Sequence, residues 1–182
     1  SNYFVIDNRA PSGVTIKLQT SDGNPYVPGS WTHLPVTLSA SGGWDLTGIQ
    51  LRILAGSRQL ASGTDRTSAT VSDAGQQTLT VVAEDPLGNQ TTVGTFLVKI
   101  DVLPPAEPQL IQKSATASES SAKGGKVVLH FPEDPGRSGN SILLLPDGSQ
   151  VPIDGDYTWT TEENGEYSFT IIDNAGNQTQ FI

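Results

Sequence analysis

The stretch "QTLTVVAEDPLGNQT" at residues 77–91 contains a strand pattern, a turn pattern and the start of another strand. Leu79, Val81 and Ala83 lie two residues apart, which is the spacing of a strand with one buried face. The Asp-Pro-Leu-Gly-Asn that follows favours a turn, because proline suits its second position and glycine accepts a left-handed conformation at its end. The stretch therefore predicts an antiparallel hairpin.

The same pattern occurs again later in the chain. "EYSFTIIDNAGNQT" at residues 166–179 repeats the alternation and the Asp-x-x-Gly-Asn turn, with Gly88 and Gly176 separated by 88 positions. A second echo relates "FVIDNRAP" at 4–11 to "VKIDVLPP" at 98–105. These echoes predict a repeated unit of about 90 residues, whereas a catalytic site would need its motif only once.

Both copies of the turn motif are predicted to be structural. The aspartate can accept backbone hydrogen bonds across the bend, and the glycine supplies the left-handed residue. Neither loop alone is predicted to bind a metal, since neither has the alternating acidic residues of an EF-hand-like loop. The residues with this turn role are Asp85, Gly88, Asn89, Asp173, Gly176 and Asn177.

A proline-rich segment separates the two units. "DVLPPAEP" at residues 101–108 disfavours strand pairing and predicts a linker, so the expected domains are 1–103 and 104–182. Residues 1–10 resemble the end of a preceding repeat plus its linker, and the chain is expected to come from a longer array. About seven short alternating segments per unit, without helical periodicity, predict an all-β fold of two tandem immunoglobulin-like β-sandwiches.

Composition excludes several classes of function. The net charge of −9 and the pI near 4.4 disfavour nucleic acid and anionic membrane surfaces as partners. The chain has no cysteine, so it has no disulfide and no thiolate ligand, and an oxidising compartment suits it. No apolar run approaches the length of a membrane span, so no membrane contact by this fragment is expected.

Several segments together resemble the bacterial Ig-like repeats of secreted and cell-wall-attached surface proteins. In the first unit these are "YVPGSWTHLPVTLSAS" (26–41), "LTGIQLRI" (46–53), "VSDAGQQTLTVVAEDPLGNQT" (71–91) and "FLVKIDVLPP" (96–105). In the second unit the resemblance rests on "ENGEYSFTIIDNAGNQT" (163–179). The resemblance implies an extracellular, non-enzymatic stalk, spacer or adhesion segment of a larger exported bacterial protein. Neighbouring Ig-like repeats of the same chain would be its partners.

No residue pattern indicates catalysis. His33 and His130 lie in predicted strands and belong to no recognisable catalytic motif, because no hydrolase or metalloprotease motif occurs. No catalytic or cofactor-binding residue is therefore predicted. The alternative function is binding of a glycan or a host surface protein at a loop end of one sandwich. Its candidate residue is Trp44 in the loop "SGGWD", whereas Trp31 and Trp159 are expected at sheet edges.

Acidic residues are expected to gather where the linker enters the second unit. Ig topology brings the linker, "FPEDPGRSGN" (131–140) and "DNAGN" (173–177) to one end of that sandwich. The carboxylates concerned are those of Asp101, Glu107, Glu133, Asp134 and Asp173. Because Arg137 lies in the same loop, the simpler interpretation is solvation with no metal and no cofactor. The alternative is calcium bound by Asp101, Glu133, Asp134 and Asp173.

Overall fold

The computed structural model describes residues 4–115, 125–163 and 165–182. The chain divides into two compact units, unit 1 (Ser1–Ile100) and unit 2 (Asp101–Ile182). The division lies three residues before the end of the predicted first domain at residue 103. All regular elements of the described residues are strands, so the prediction of an all-β fold is confirmed. No helix in these ranges could cross a bilayer.

Unit 1 is built from two sheets. Its strands are β1 (Ser12–Thr20), β2 (Trp31–Thr32), β3 (Val36–Trp44), β4 (Gln50–Ala55), β5 (Arg58–Gly63), β6 (Arg66–Val71), β7 (Gly75–Glu84) and β8 (Gln90–Ile100). One sheet has the order β1-β3-β6, and the other has the order β2-β8-β7-β4-β5. All pairs are antiparallel except β2 with β8, which is parallel.

The core of unit 1 lies between these sheets and follows the predicted alternation. Val36 and Leu38 of β3 face inward from one sheet, and Leu79 and Val81 of β7 face inward from the other. Each of these four side chains is fully buried. Removing such alternate apolar residues from water is the main driving force for joining the two sheets.

Unit 2 repeats the two-sheet plan with fewer strand residues. Its strands are β9 (Gln109–Ala115), β10 (Gly125–His130), β11 (Asn140–Leu144), β12 (Gln150–Pro152), β13 (Tyr157–Thr161), β14 (Phe169–Asp173) and β15 (Gln178–Phe181). The sheets have the orders β13-β10-β9 and β12-β11-β14-β15. The pairing of β14 with β15 reproduces that of β7 with β8, on either side of the repeated turn.

Aromatic side chains fill much of the smaller core of unit 2. Phe169 stacks on Phe181 with ring centroids 5.4 Å apart, and Trp159 meets Phe169 edge-on at 5.3 Å. Trp159 also contacts Tyr167 edge-on, with centroids 4.5 Å apart. Large rings therefore replace the many aliphatic contacts available in unit 1.

Two strands of unit 1 carry no predictive pattern. β5 is an edge strand whose residues are mostly exposed or half-buried, so burial does not impose a clear alternation on its sequence. β2 has only two residues and pairs with the end of β8. Such short or exposed elements are set by their neighbours rather than by their own residues.

Candidate metal centres

The turn between β7 and β8 is organised around one carboxylate. Oδ1 of Asp85 accepts hydrogen bonds from the backbone N–H groups of Leu87 (2.9 Å) and Asn89 (2.8 Å). Its Oδ2 accepts one from Nδ2 of Asn89 at 2.6 Å. Gly88 has a φ of 89° and donates its N–H to the Asp85 carbonyl at 3.1 Å. The left-handed conformation explains the glycine at this position.

The turn between β14 and β15 has the same hydrogen bonds. Oδ1 of Asp173 accepts from the N–H groups of Ala175 (2.9 Å) and Asn177 (2.8 Å), and Oδ2 accepts from Nδ2 of Asn177 (2.8 Å). Gly176 has a φ of 91° and donates to the Asp173 carbonyl at 3.3 Å. The two motif copies thus adopt one local structure.

In each unit the turn asparagine also reaches the segment that precedes the sandwich. Nδ2 of Asn89 donates to the backbone carbonyl of Asp7 at 3.2 Å. Nδ2 of Asn177 donates to the backbone carbonyl of Asp101 at 2.9 Å. The same amide therefore ties an aspartate before the first strand of a unit to the last hairpin of that unit.

These contacts bring three carboxylates together in each unit. In unit 1 the group is Asp7, Asp45 and Asp85, and in unit 2 it is Asp101, Asp134 and Asp173. One oxygen from each member lies within 4.8 Å of the oxygens of the other two. We call these groups the unit 1 triad and the unit 2 triad. Their members correspond in chain order: a residue before the first strand, a residue in the β3–β4 or β10–β11 loop, and the turn aspartate.

The unit 2 triad is enclosed by the β10–β11 loop, residues 131–139. Ser138 donates its backbone N–H to Asp101 Oδ2 at 3.2 Å and its hydroxyl to Asp134 Oδ2 at 3.1 Å. Gly136 approaches so closely that a Cβ there would overlap the carboxylate of Asp101. The residues of the triad are 1%, 7% and 3% exposed in the order Asp101, Asp134 and Asp173.

The unit 1 triad is more open. Asp85 is buried, but Asp7 and Asp45 are only half-buried. Asp45 Oδ1 accepts hydrogen bonds from the N–H and the hydroxyl of Thr47, both at 2.9 Å. Oδ2 of Asp7 is inaccessible to water and has no hydrogen-bond partner among the described residues. The shorter β3–β4 loop, residues 45–49, therefore leaves one side of the triad uncovered.

No triad member forms an ion pair with a lysine or arginine side chain among the described residues. Across the described residues, Arg52 forms an ion pair with Glu84, and Nδ1 of His130 lies 2.8 Å from Oδ1 of Asp156. Neither contact includes a triad member. Burial raises the pKa of Asp85, but hydrogen bonds from Asn89, Leu87 and Gly88 together lower it by a larger amount. The pKa of this carboxyl therefore lies below its ordinary value. Asp85 is therefore an anion at neutral pH, and like charges this close repel each other unless a cation lies between them.

The donor atoms suit a hard divalent cation. Every candidate ligand atom in both triads is a carboxylate oxygen, and the triads contain no histidine or cysteine. Calcium takes roughly 6–8 oxygen ligands at about 2.3–2.6 Å, with carboxylates and backbone carbonyls among them. Zinc prefers nitrogen and sulfur ligands. The residues present thus fit Ca²⁺, and water would supply the remaining ligands.

The structure separates the residues named from the sequence into two groups. Asp101, Asp134 and Asp173 come together, and all three belong to unit 2. Glu133 and Glu107 are exposed and are not members of the triad.

The unit 1 triad was missed, although part of its signal was present. The echo of Ile6-Asp7 in Ile100-Asp101 and of Asp85 in Asp173 would have transferred two of its members. Asp45 had no such signal, because the β3–β4 and β10–β11 loops differ in length and sequence.

The tryptophans lie in different surroundings. Trp44 is 68% exposed at the end of β3. Trp31 is on the edge strand β2, with Nζ of Lys99 5.6 Å from its ring centroid. Trp159 packs in the aromatic core of unit 2 from the edge strand β13. Trp44 is thus the tryptophan whose ring is mainly available to solvent.

Comparison with known proteins identifies a fold but no family. No protein-family profile matches the chain, and no curated protein is significantly similar to it in sequence. The solved structure of fibronectin(III)-like modules from Clostridium thermocellum CbhA is similar, with a TM-score of 0.51 and 14% sequence identity. The match covers 92% of this chain and 90% of that one. At this identity the likeness establishes the β-sandwich fold alone.

Proposed function

We propose that this chain is a non-enzymatic spacer or stalk segment of a larger exported bacterial protein, with one calcium ion bound at each triad. The coarse part of this function, a structural segment of Ig-like or fibronectin-like sandwiches, is supported by the fold and its structural neighbour. The observation that carries the calcium proposal is the recurrence of three carboxylates at corresponding places in both units. Export and cell-surface attachment are part of this proposal and are what the sequence resemblance implies.

Recurrence argues for a role because the surrounding sequence has diverged. The loops that supply Asp45 and Asp134 differ in length and composition, yet each delivers a carboxylate to the same place. Uncompensated carboxylates in a small volume destabilise a fold through mutual repulsion. A cation site explains why the same unfavourable grouping is present twice in one chain.

Calcium at a triad would connect the chain before a unit to the end of that unit. In unit 2, Asp101 directly follows Ile100, the last residue of β8, and Asp173 lies in the final hairpin. An ion held by both would remove conformational freedom from the linker residues nearest to it. Extracellular modules bind calcium in the millimolar range, which suits a segment that stiffens after export.

The test is calcium binding and thermal unfolding of the intact chain. Titration calorimetry and melting curves are recorded in EDTA, in about 5 mM calcium and in about 5 mM magnesium. This calcium concentration is about 5 to 50 times the roughly 0.1–1 mM Kd of extracellular calcium modules. We expect calcium to raise the melting temperature more than magnesium does. At about 5 to 50 times the Kd of one site, calcium would stabilise the fold by roughly 1–2.3 kcal/mol. Identical melting curves and no heat of binding would contradict the calcium proposal.

Charge-matched variants separate a specific site from general screening. Asp173→Asn and Asp85→Asn each remove one triad carboxylate, whereas Asp154→Asn and Asp73→Asn remove one exposed carboxylate from each unit. Calcium stabilisation should be lost from unit 2 with the first variant and from unit 1 with the second. The two controls should retain it, and an equal loss in all four variants would indicate screening only.

A further inference from the structure

A groove of about 760 Å³ opens at one loop end of unit 1. Its walls are formed by the end of β3 and the β3–β4 loop, by the turn between β5 and β6, and by the start of the β7–β8 turn. Trp44 lines it, and this residue is 68% exposed. This volume is in the range of pockets that hold small organic ligands.

The backbone holds Trp44 in this exposed position. Trp44 has the sequence parity of the buried residues Val36 and Leu38, so a regular continuation of β3 would favour a buried side chain. Gly42 and Gly43 interrupt the regular strand with φ values of 71° and 100°. A Cβ at Gly43 would lie 2.9 Å from side-chain carbons of Ile49 and Val14, so this segment is packed closely against the body of the unit.

Polar groups beside Trp44 are uncharged or acidic. Gln50, Thr64 and Asp65 line the groove, and their side chains form no hydrogen bond or ion pair within the described ranges. Glu84 also lines it, but Arg52 holds that carboxylate in an ion pair. The lining residues include no lysine, arginine or histidine. An anionic ligand would therefore be repelled, while a ligand rich in hydroxyl groups would find both donors and acceptors.

We propose that this groove binds a neutral oligosaccharide whose sugar ring stacks on Trp44. The apolar C–H face of a hexose or pentose matches an exposed indole, and its hydroxyl groups suit Gln50, Thr64 and Asp65. This binding function goes beyond the spacer function. It rests on Trp44 and the groove rather than on an occupied triad, although Asp45 and Asp85 also line the groove.

The binding test uses the intact chain with defined oligosaccharides in EDTA-containing buffer, so that the carboxylates of the groove carry no cation. Cellohexaose, maltohexaose, xylohexaose and mannohexaose are the neutral probes, and trigalacturonate is the anionic one. Binding is followed by NMR through the indole N–H signals of Trp31, Trp44 and Trp159. We expect at least one neutral probe to shift the Trp44 signal alone and trigalacturonate to shift none.

Variants at one loop connect the binding to the stacking surface. Trp44→Ala should weaken binding by about tenfold or more, and Trp44→Phe should retain part of it, because a smaller ring still stacks. Leu46→Ala is the matched control, since Leu46 is 61% exposed in the same loop but does not line the groove. The proposal is overturned if no neutral probe binds, if trigalacturonate binds equally well, or if Trp44→Ala binds like Leu46→Ala. None of these outcomes affects the calcium melting test.

Discussion

The two triads have carboxylates at three corresponding positions, but they differ in how far these carboxylates are buried. In unit 2, all three members are at least nine-tenths buried, and the β10–β11 loop covers them through Ser138 and Gly136. In unit 1, only Asp85 is buried, and the shorter β3–β4 loop leaves the triad beside the Trp44 groove. The hairpin and linker contributions are the same in both units, so the loop is what changes.

We infer from this difference in burial that the triads of the two units have different roles. Enclosure would make the proposed calcium site of unit 2 more rigid and its binding tighter, because fewer groups would need to be ordered on binding. The open side of the unit 1 triad would make a calcium site there less rigid, and the groove beside it is where we propose that a ligand binds. We therefore expect unit 2 to gain more stability from calcium than unit 1 does.

The largest effect is expected from filling the space at Gly136. Gly136→Ala would place a methyl group into the Asp101 carboxylate, so the β10–β11 loop must move away from the unit 2 triad. We expect a loss of roughly 3 kcal/mol in calcium, by analogy with severe overpacking. Chemical denaturation measures it. Gly125→Ala is the control, since a Cβ there would lie at an ordinary 3.8 Å from its nearest neighbour among the described residues, Cγ2 of Thr161. Equal costs for both would show that Gly136 does not enclose the site.

Removing Asp101 should abolish the calcium response of unit 2. A fragment of residues 101–182 retains the whole triad, whereas a fragment of residues 104–182 lacks its linker carboxylate. The longer fragment should gain about 2.7 kcal/mol in calcium at 100 times its Kd, and the shorter one close to nothing. Melting of both fragments in EDTA and calcium tests this. An equal calcium response would mean that the ion binds elsewhere.

Corresponding substitutions in the two turns should cost the same stability. This comparison tests whether the two units are equivalent at the turn. Gly88→Val and Gly176→Val each force a β-branched residue into a φ near 90°. Each should cost on the order of 1–3 kcal/mol in the free energy of unfolding of its own unit. A loss of stability in only one of the two variants would show that the turns differ in local strain, although their hydrogen bonds are the same.

The smallest expected effect is on how the free energy of unfolding of unit 1 falls at acidic pH. The pKa of Asp85 is lowered in the folded state, so its contribution is present above the unfolded pKa near 3.9 and is lost as pH falls through the folded value. Asp85→Asn should therefore flatten the loss of stability of unit 1 below about pH 4. Urea unfolding between neutral and acidic pH, in EDTA, measures the change. A parallel acid profile in the variant would contradict this role.

Sequence reasoning was strongest where burial imposes a period. The inward positions of β7 and the all-β class could be predicted, because alternate residues of a half-buried strand must be apolar. β5 escaped prediction because an exposed edge strand has no such requirement. The unit 2 carboxylates could be gathered from topology, since three loops meet at one end of an Ig sandwich.

The remaining details depend on contacts that no local pattern encodes. Enclosure by Gly136 results from a close approach between residues 35 positions apart in sequence, and glycine occurs in many unremarkable turns. Exclusion of Glu133 next to Asp134 reflects side-chain direction in an irregular loop, where strand periodicity gives no guide. Asp45 joins its triad although its loop does not align with the β10–β11 loop.

The asparagine amide described in both turns has a mechanical consequence. Asn177 holds the carbonyl of Asp101, which is the first residue after β8, so tension pulled along the chain reaches this contact before it reaches β9. A bound calcium ion would hold the Asp101 side chain as well, so that the ion and that hydrogen bond would share the load. We expect single-molecule pulling on tandem units to show a higher unfolding force in calcium than in EDTA. The bound ion would increase the force that each sandwich withstands, and its removal by EDTA would reverse this increase.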